Sequence, residues 1–262
     1  MSVSYAVGLP NVGEFGDPVT LVELAVAAEE HGWDGVYIWD HLLYRDPTWP
    51  VANPTVVISA IAARTTRIRL GVLMVALPRR RVQVVARETA SLDVLSGGRL
   101  VFGAALGSMD EEYSRFGEDP ALPARAARLD AGLAQLVDLW DEFLPRPVQR
   151  PRIPIWCAGR WPRRAGFRRA ARWDGVMPTF ASGRDVSVAE FTEVVRFLAA
   201  ERGSLDGFDI ALEGSTGARG GEAVVAPFAQ AGLTWWVEAM GWWRGGVAHA
   251  RERIVAGPPR GV

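Results

Sequence analysis

Val36-Tyr37-Ile38-Trp39-Asp40-His41 is the stretch on which the reading of this chain turns. β-Branched and aromatic residues follow the helix-ending pair His31-Gly32, so a buried strand is expected over 35–39, and it stops on an acid beside an imidazole. In a parallel barrel the carboxyl ends of the strands form the mouth where substrates bind, and Asp40 and His41 would project into it. Taken alone, the pair fits equally well with an Asp40 that caps a turn and a His41 in a solvated loop.

The flanking sequence repeats the same unit. Upstream, Ser4-Tyr5-Ala6-Val7-Gly8-Leu9 reads as a strand, and 19–31 has helical spacing at Leu21, Leu24, Ala25 and Ala28, with Thr20 and Glu23 resembling a capping box. Downstream, helices are expected over 54–64, 82–95, 124–143, up to 172, 187–201, 222–231 and 244–255. Strands are expected over 68–75, 99–105, 153–157, 174–177, 208–212 and 233–237. Strand-then-helix units at this spacing argue for parallel pairing through right-handed crossovers. Eight of them in 262 residues predict a closed (β/α)8 TIM barrel, a single domain over 1–262 with short extra segments in the loops after strands 2 and 4. No Gly-x-Gly-x-x-Gly follows the first strand, which removes the main support for a Rossmann fold.

Composition narrows the function classes. A net charge of −1 gives no long-range attraction to nucleic acid or an anionic membrane. No apolar run approaches the roughly eighteen residues needed to cross a bilayer, and no basic, apolar leader precedes the first strand, so a cytoplasmic protein is expected. The single cysteine, Cys157, excludes an internal disulfide and a cysteine-built metal site, and core packing is its expected role. Every basic side chain is Arg, so lysine Schiff-base chemistry is excluded.

A barrel draws its site from the loops after the strands. There stand Asn11 and Glu14, then Asp40, His41, Tyr44 and Trp49, then Arg79, Arg80 and Arg81, then Ser108, Asp110, Glu111 and Glu112, and finally Gly159, Arg160 and Trp161. Mixed charge with many aromatics suits a planar ligand with an anionic tail. A glycine turn at Gly159, with the amides opening the next helix, would seat a phosphate. The Arg79 to Arg81 triplet reads either as an anion site or as a solvated face. His41 is the one histidine at a strand's carboxyl end, so any imidazole acid or base is this one. No spacing assembles a metal site from Glu14, Asp40 and His41. Trp235, Trp236, Trp242 and Trp243 either line the pocket or fill the core.

Several stretches together resemble the bacterial luciferase-like monooxygenase superfamily, especially its branch using the deazaflavin coenzyme F-420. They are the segment from Leu21 to Asp34, Trp39-Asp40-His41, Arg67-Ile68-Arg69-Leu70-Gly71, Leu95-Ser96-Gly97-Gly98-Arg99-Leu100 and Pro154-Ile155-Trp156. The resemblance implies a TIM barrel with a flavin or deazaflavin across its carboxyl end. It implies Asp40 and His41 near the reactive ring carbon, Glu14 as a first-loop acid, and a bulge with a non-proline cis peptide at Leu73-Met74 behind the ring. It also implies cofactor contacts from Asp40, from Gly107 and Ser108 after the fourth strand, and from Ala158, Gly159, Arg160 and Trp161 after the fifth, the last group at the phosphate. The chain departs from the family pattern in a short segment between Trp140 and Pro154, and in having Ala105-Leu106-Gly107-Ser108 where a Gly-x-Gly with a following acid is usual.

The expected activity is hydride transfer by F-420 to or from a small organic substrate, with His41 as acid or base oriented by Asp40 and no metal. An FMN-dependent monooxygenase is the alternative, and a non-catalytic flavin-binding barrel the third reading. A homodimer through the helices at 54–64 and 82–95 is a further expectation.

Overall fold

The computed structural model describes residues 3–183 and 186–259. Met1 and Ser2, Arg184 and Asp185, and the end of the Pro/Gly tail from Arg260 to Val262 lie outside the described residues. Eight strands run in chain order around a closed, all-parallel barrel: β1 Ser4–Leu9, β2 Gly35–Ile38, β3 Arg69–Ala76, β4 Leu100–Ala105, β5 Ile155–Trp161, β6 Gly175–Phe180, β7 Asp209–Gly214 and β8 Trp235–Ala239. The ring closes where β8 pairs with β1, Tyr5 opposite Trp236 and Val7 opposite Glu238. The helices between the strands are α1 Pro18–Glu30, α2 Pro54–Arg64, α3 Val82–Ser96, α4 Glu111–Ser114, α5 Leu122–Glu142, α6 Ala165–Ala170, α7 Val188–Arg202, α8 Gly221–Gln230 and α9 Gly246–Val255.

The local signals act as their chemistry requires, with some shifts of position. α1 is capped by Asp17, which accepts from the N–H groups of Val19 and Thr20, with Pro18 in the first turn; Thr20 is therefore inside the helix rather than at its cap. β5 and β6 run past their expected ends at Cys157 and Met177, pairing Gly159 with Pro178 and Trp161 with Phe180. Pro178 is tolerated because β6 pairs with β7 only through Gly175 and Val176, so its missing N–H falls where β6 has no ladder on that side.

Apolar residues fill two layers. Inside the barrel Tyr37, Trp156 and Trp235 meet at ring-centroid distances of 5.6–6.1 Å, surrounded by Ala6, Val101, Met177 and Val237. This end of the barrel is packed solid, so chemistry is confined to the opposite rim. A larger layer lies between strands and helices and includes Cys157, whose thiol burial pushes up to about 12. Such a thiol is an inert core side chain. Among the described residues no helix is long and apolar enough to cross a membrane, and no His, Cys, Asp and Glu group is arranged to hold a metal.

Gly103 is where β4 lets the irregular part of β3 approach. A Cβ there would stand 2.4 Å from Leu73 Cδ2, 2.6 Å from the Val72 carbonyl oxygen and 2.8 Å from Met74 Sδ. Gly103→Ala should therefore destabilise the protein by about 1–3 kcal/mol through overpacking, read as a lower urea midpoint with unchanged slope.

Candidate active site

The carboxyl rim gathers its polar groups around two buried carboxylates. Asp40 follows β2 and has a fully buried side chain. Its Oδ1 lies 2.5 Å from Arg80 Nη2, and its Oδ2 lies 3.2 Å from Arg79 Nη2 and accepts from the Ala76 N–H at 2.9 Å. Burial by itself would raise the Asp40 carboxyl; Arg80 and Arg79 outweigh it and hold the group below the usual carboxylate range.

Glu112, from the short α4, is the second carboxylate. Its Oε1 accepts from His41 Nδ1 at 3.1 Å and from the Leu42 N–H at 2.7 Å, and its Oε2 from Arg79 Nη1 at 2.5 Å. Burial again pushes upward, and the His41 hydrogen bond and Arg79 together bring the group below its ordinary value. An ionised Glu112 only accepts hydrogen bonds, so His41 Nδ1 carries the proton. Nε2 is left as an acceptor on neutral His41 and a donor on the cation, and it has no hydrogen-bond partner among the described residues.

The backbone of His41 is fixed as firmly as its ring. Asn11, fully buried after β1, donates from Nδ2 to the carbonyls of His41 at 2.9 Å and Ala52 at 2.8 Å, and its Oδ1 accepts from the His41 N–H at 3.2 Å. Trp39 and Tyr44 flank the imidazole at centroid distances of 5.9 and 4.9 Å.

The expected pairing of Asp40 with His41 is thus replaced. Asp40 faces the two arginines, and Glu112 orients the imidazole. Of the basic triplet, Arg79 and Arg80 turn inward onto carboxylates, and Arg81 is exposed. Neither an anion site nor a solvated face describes the first two.

The other expected positions divide. Leu73-Met74 is a non-proline cis peptide inside a register shift between Val72 and Val75, as the resemblance implied. Gly107 has φ 78° and its carbonyl accepts from Arg125 at 3.2 Å, while Ser108 next to it is exposed. Glu14 accepts from the Val247 N–H at 3.3 Å, at the start of α9, where a carboxylate complements the helix dipole. Gly159 is not in a turn: it lies within β5 beside Ala158, and the Phe167 ring occupies the space a Cβ would need, at 2.9 Å. Arg160 is exposed, and Trp161 Nε1 donates to Glu193 at 3.2 Å. Sequence reasoning left the four tryptophans near β8 undivided. Trp235 and Trp236 are buried, whereas Trp242 and Trp243 stand half-buried at the mouth; the Met240-Gly241 break between the pairs was the available signal.

Behind that aromatic turn sits Glu238, fully buried. It accepts from the Thr216 N–H at 2.8 Å, the Thr216 hydroxyl at 2.6 Å, Trp236 Nε1 at 3.0 Å and Arg244 Nη1 at 2.8 Å. The loop after β7, β8 and the turn carrying Trp242 and Trp243 are thereby joined at one carboxylate.

Residues 8–235 match the family model described as luciferase-like monooxygenase. The chain belongs to this family. Among its relatives is an F420-dependent glucose-6-phosphate dehydrogenase from Gordonia bronchialis, 33% identical over 71% of this chain and 60% of the relative. Another is the oxygenase component of a flavin-dependent trigonelline monooxygenase from Acinetobacter baylyi, 30% identical over 56% of this chain and 44% of the relative. The luciferase-like chain thus spans about 60% of the length of the dehydrogenase. Among solved structures, the coenzyme F420-dependent tetrahydromethanopterin reductase from Methanopyrus kandleri shares the fold with a TM-score of 0.77 at 16% identity, over 98% of this chain and 97% of that one.

Because Asp40 and Glu112 both titrate below ordinary carboxyls, their contribution to stability is full above about pH 4.5 and is lost as the pH falls through their lowered native values. Glu112→Gln should cost about 3–5 kcal/mol at neutral pH by leaving Arg79 and His41 short of a charge partner. Its stability, followed by denaturation from neutral to acid pH, should then fall less steeply than that of the parent.

Proposed function

We propose that this protein is an oxidoreductase in which coenzyme F-420 exchanges hydride with a small organic substrate at the carboxyl rim, and His41 handles the accompanying proton. The observation that carries this reading is the His41 geometry: Nδ1 is fixed on an ionised Glu112, and Nε2 is left free to give or take a proton. The dehydrogenases among the relatives, named for F420, supply the coenzyme. When bound, F-420 provides a two-electron hydride donor or acceptor.

The residues present fit such a group. Gly103 makes room for the β3 bulge at Leu73-Met74, and the irregular backbone of that bulge suits a flat ring lying against it. Met74 is half-buried and packs on the barrel interior, giving an apolar surface under that ring. Gly107, Ser108 and the β5 end from Ala158 to Trp161 would hold the rest of the coenzyme, with exposed Arg160 and Arg163 attracting its anionic tail. Asp40 acts at a distance from the reacting atoms. It holds Arg79 and Arg80 in place, and Arg79 in turn holds Glu112. Glu14 remains a candidate through the first loop, although its carboxylate already serves α9.

His41 must carry a second proton, on Nε2, to act as an acid, while its Nδ1 proton stays on Glu112. On release of the Nε2 proton the imidazole returns to the neutral tautomer that Glu112 already enforces. His41→Ala should leave F-420 affinity within about tenfold and lower turnover by roughly 10²–10⁴; unchanged turnover across the pH range would remove His41 from the mechanism.

A flavin monooxygenase is the second reading, favoured by the trigonelline monooxygenase component among the relatives. Titrating the purified protein with F-420 and FMN side by side separates the two. The first reading expects tighter F-420 binding, loss of deazaflavin absorbance on substrate addition, and no oxygen uptake with reduced FMN. We further propose a single-domain cytoplasmic protein that forms a homodimer, the dimer alone being supported by exposed Val56 on α2 and Val84 and Leu95 on α3.

A further inference from the structure

Six rings meet on one side of the barrel mouth. Trp39 follows β2, Tyr44 and Trp49 stand in the next loop, Trp242 and Trp243 follow β8, and the His41 imidazole lies among them. Trp39 stacks on Trp243 at 5.7 Å with 14° between planes, and Tyr44 on Trp49 at 6.0 Å with 10°. Trp242 turns its edge to Trp49 at 4.9 Å and to Tyr44 at 5.5 Å. All six are half-buried and keep surface at the rim, unlike Tyr37, Trp156 and Trp235 inside the barrel.

The rings are seated by the backbone. A Cβ at Gly13 would meet the Trp49 ring at 2.9 Å, and one at Gly241 would meet the Trp243 ring at 2.1 Å. Arg244, next along the chain, is tied to Glu238 at 2.8 Å and to the Thr216 carbonyl at 3.1 Å. This is a fixed wall of π surface.

Three of the arginines around it are already paired. Arg79 and Arg80 face Asp40 and Glu112, and Arg244 faces Glu238. Exposed Arg45 lies 5.9 Å from the Tyr44 ring centroid. Beside His41 the wall therefore presents half-buried aromatic surface and Nε2, with Arg79, Arg80 and Arg244 held by carboxylates and Arg45 at its exposed edge.

We infer that the substrate is a neutral, flat, conjugated ring ketone, stacked on this wall with its carbonyl oxygen at His41 Nε2, an assignment that rests on the oxidoreductase reading. In the reducing direction the substrate gains a hydride at carbon and the Nε2 proton at oxygen, two electrons in all. Reduced F-420, when bound, would supply that hydride, and neutral His41 is reprotonated from solvent. Stacking selects for ring area and against a hydrated anion, which would lose its water on the wall with solvated Arg45 at the edge as the counter-charge.

Calorimetric titration of the full chain without coenzyme tests the substrate class apart from the redox chemistry, using chromone, glucose 6-phosphate and N-methylquinolinium. Chromone should bind at least about tenfold more tightly than either of the others. Trp242→Ala and Tyr44→Leu should each weaken chromone by about tenfold while leaving F-420 affinity unchanged, and Trp242→Phe should recover most of the loss. Tighter binding of the sugar phosphate or the cation, or chromone affinity indifferent to both folded variants, overturns the assignment. Chromone binding that needs the wall supports it even where no hydride transfer follows, a result that instead defeats the redox reading.

Discussion

Arg79 is the pivot of the rim. One guanidinium, itself almost wholly buried, reaches the carboxylate of Asp40 after β2 and that of Glu112 on α4, so segments widely separated in sequence are bound to a single side chain. Buried charges of this kind are costly unless each is paired, and here two carboxylates meet two guanidiniums with backbone N–H groups filling remaining acceptor sites. What the arrangement provides is definition: neither carboxylate can move without leaving a charge stranded. His41 inherits its orientation from that constraint.

The layering follows from it. At the base the barrel is sealed by large rings, so the lower half acts as a foundation. The rim carries irregular features that a foundation can support: the β3 register shift, the Asn11 clamp on the His41 backbone and the aromatic turn after β8. Glu238 does for the β8 side what Arg79 does for the β2 side, one buried charge serving several loops.

The barrel was legible because each strand-helix unit announces itself locally, in β-branched runs, helical spacing and glycine stops. Boundaries were less so where pairing, not composition, decides them; Pro178 argues against a strand until its neighbours on the β7 side are known. At the site, Asp40 and His41 could be placed because strand ends are marked in sequence. The partner of His41 could not, since Glu112 lies 71 residues further on. Asp110, Glu111 and Glu112 are indistinguishable by type, and only the packing of α4 chooses the last. Gly159 misled for a related reason: a glycine that admits a neighbouring ring looks, in sequence, like one that makes a turn.

The aromatic turn at Trp242 and Trp243 lies beyond the final strand, and β8 must also close against β1 before the ring is complete. The rings that flank His41 therefore come from the two sides of the closing seam, Trp39 after β2 meeting Trp242 and Trp243 after β8. A chain cut before residue 242 would keep the imidazole and lose the indoles of Trp242 and Trp243 beside it. The seam that closes the barrel is thus also the one that assembles the aromatic rim.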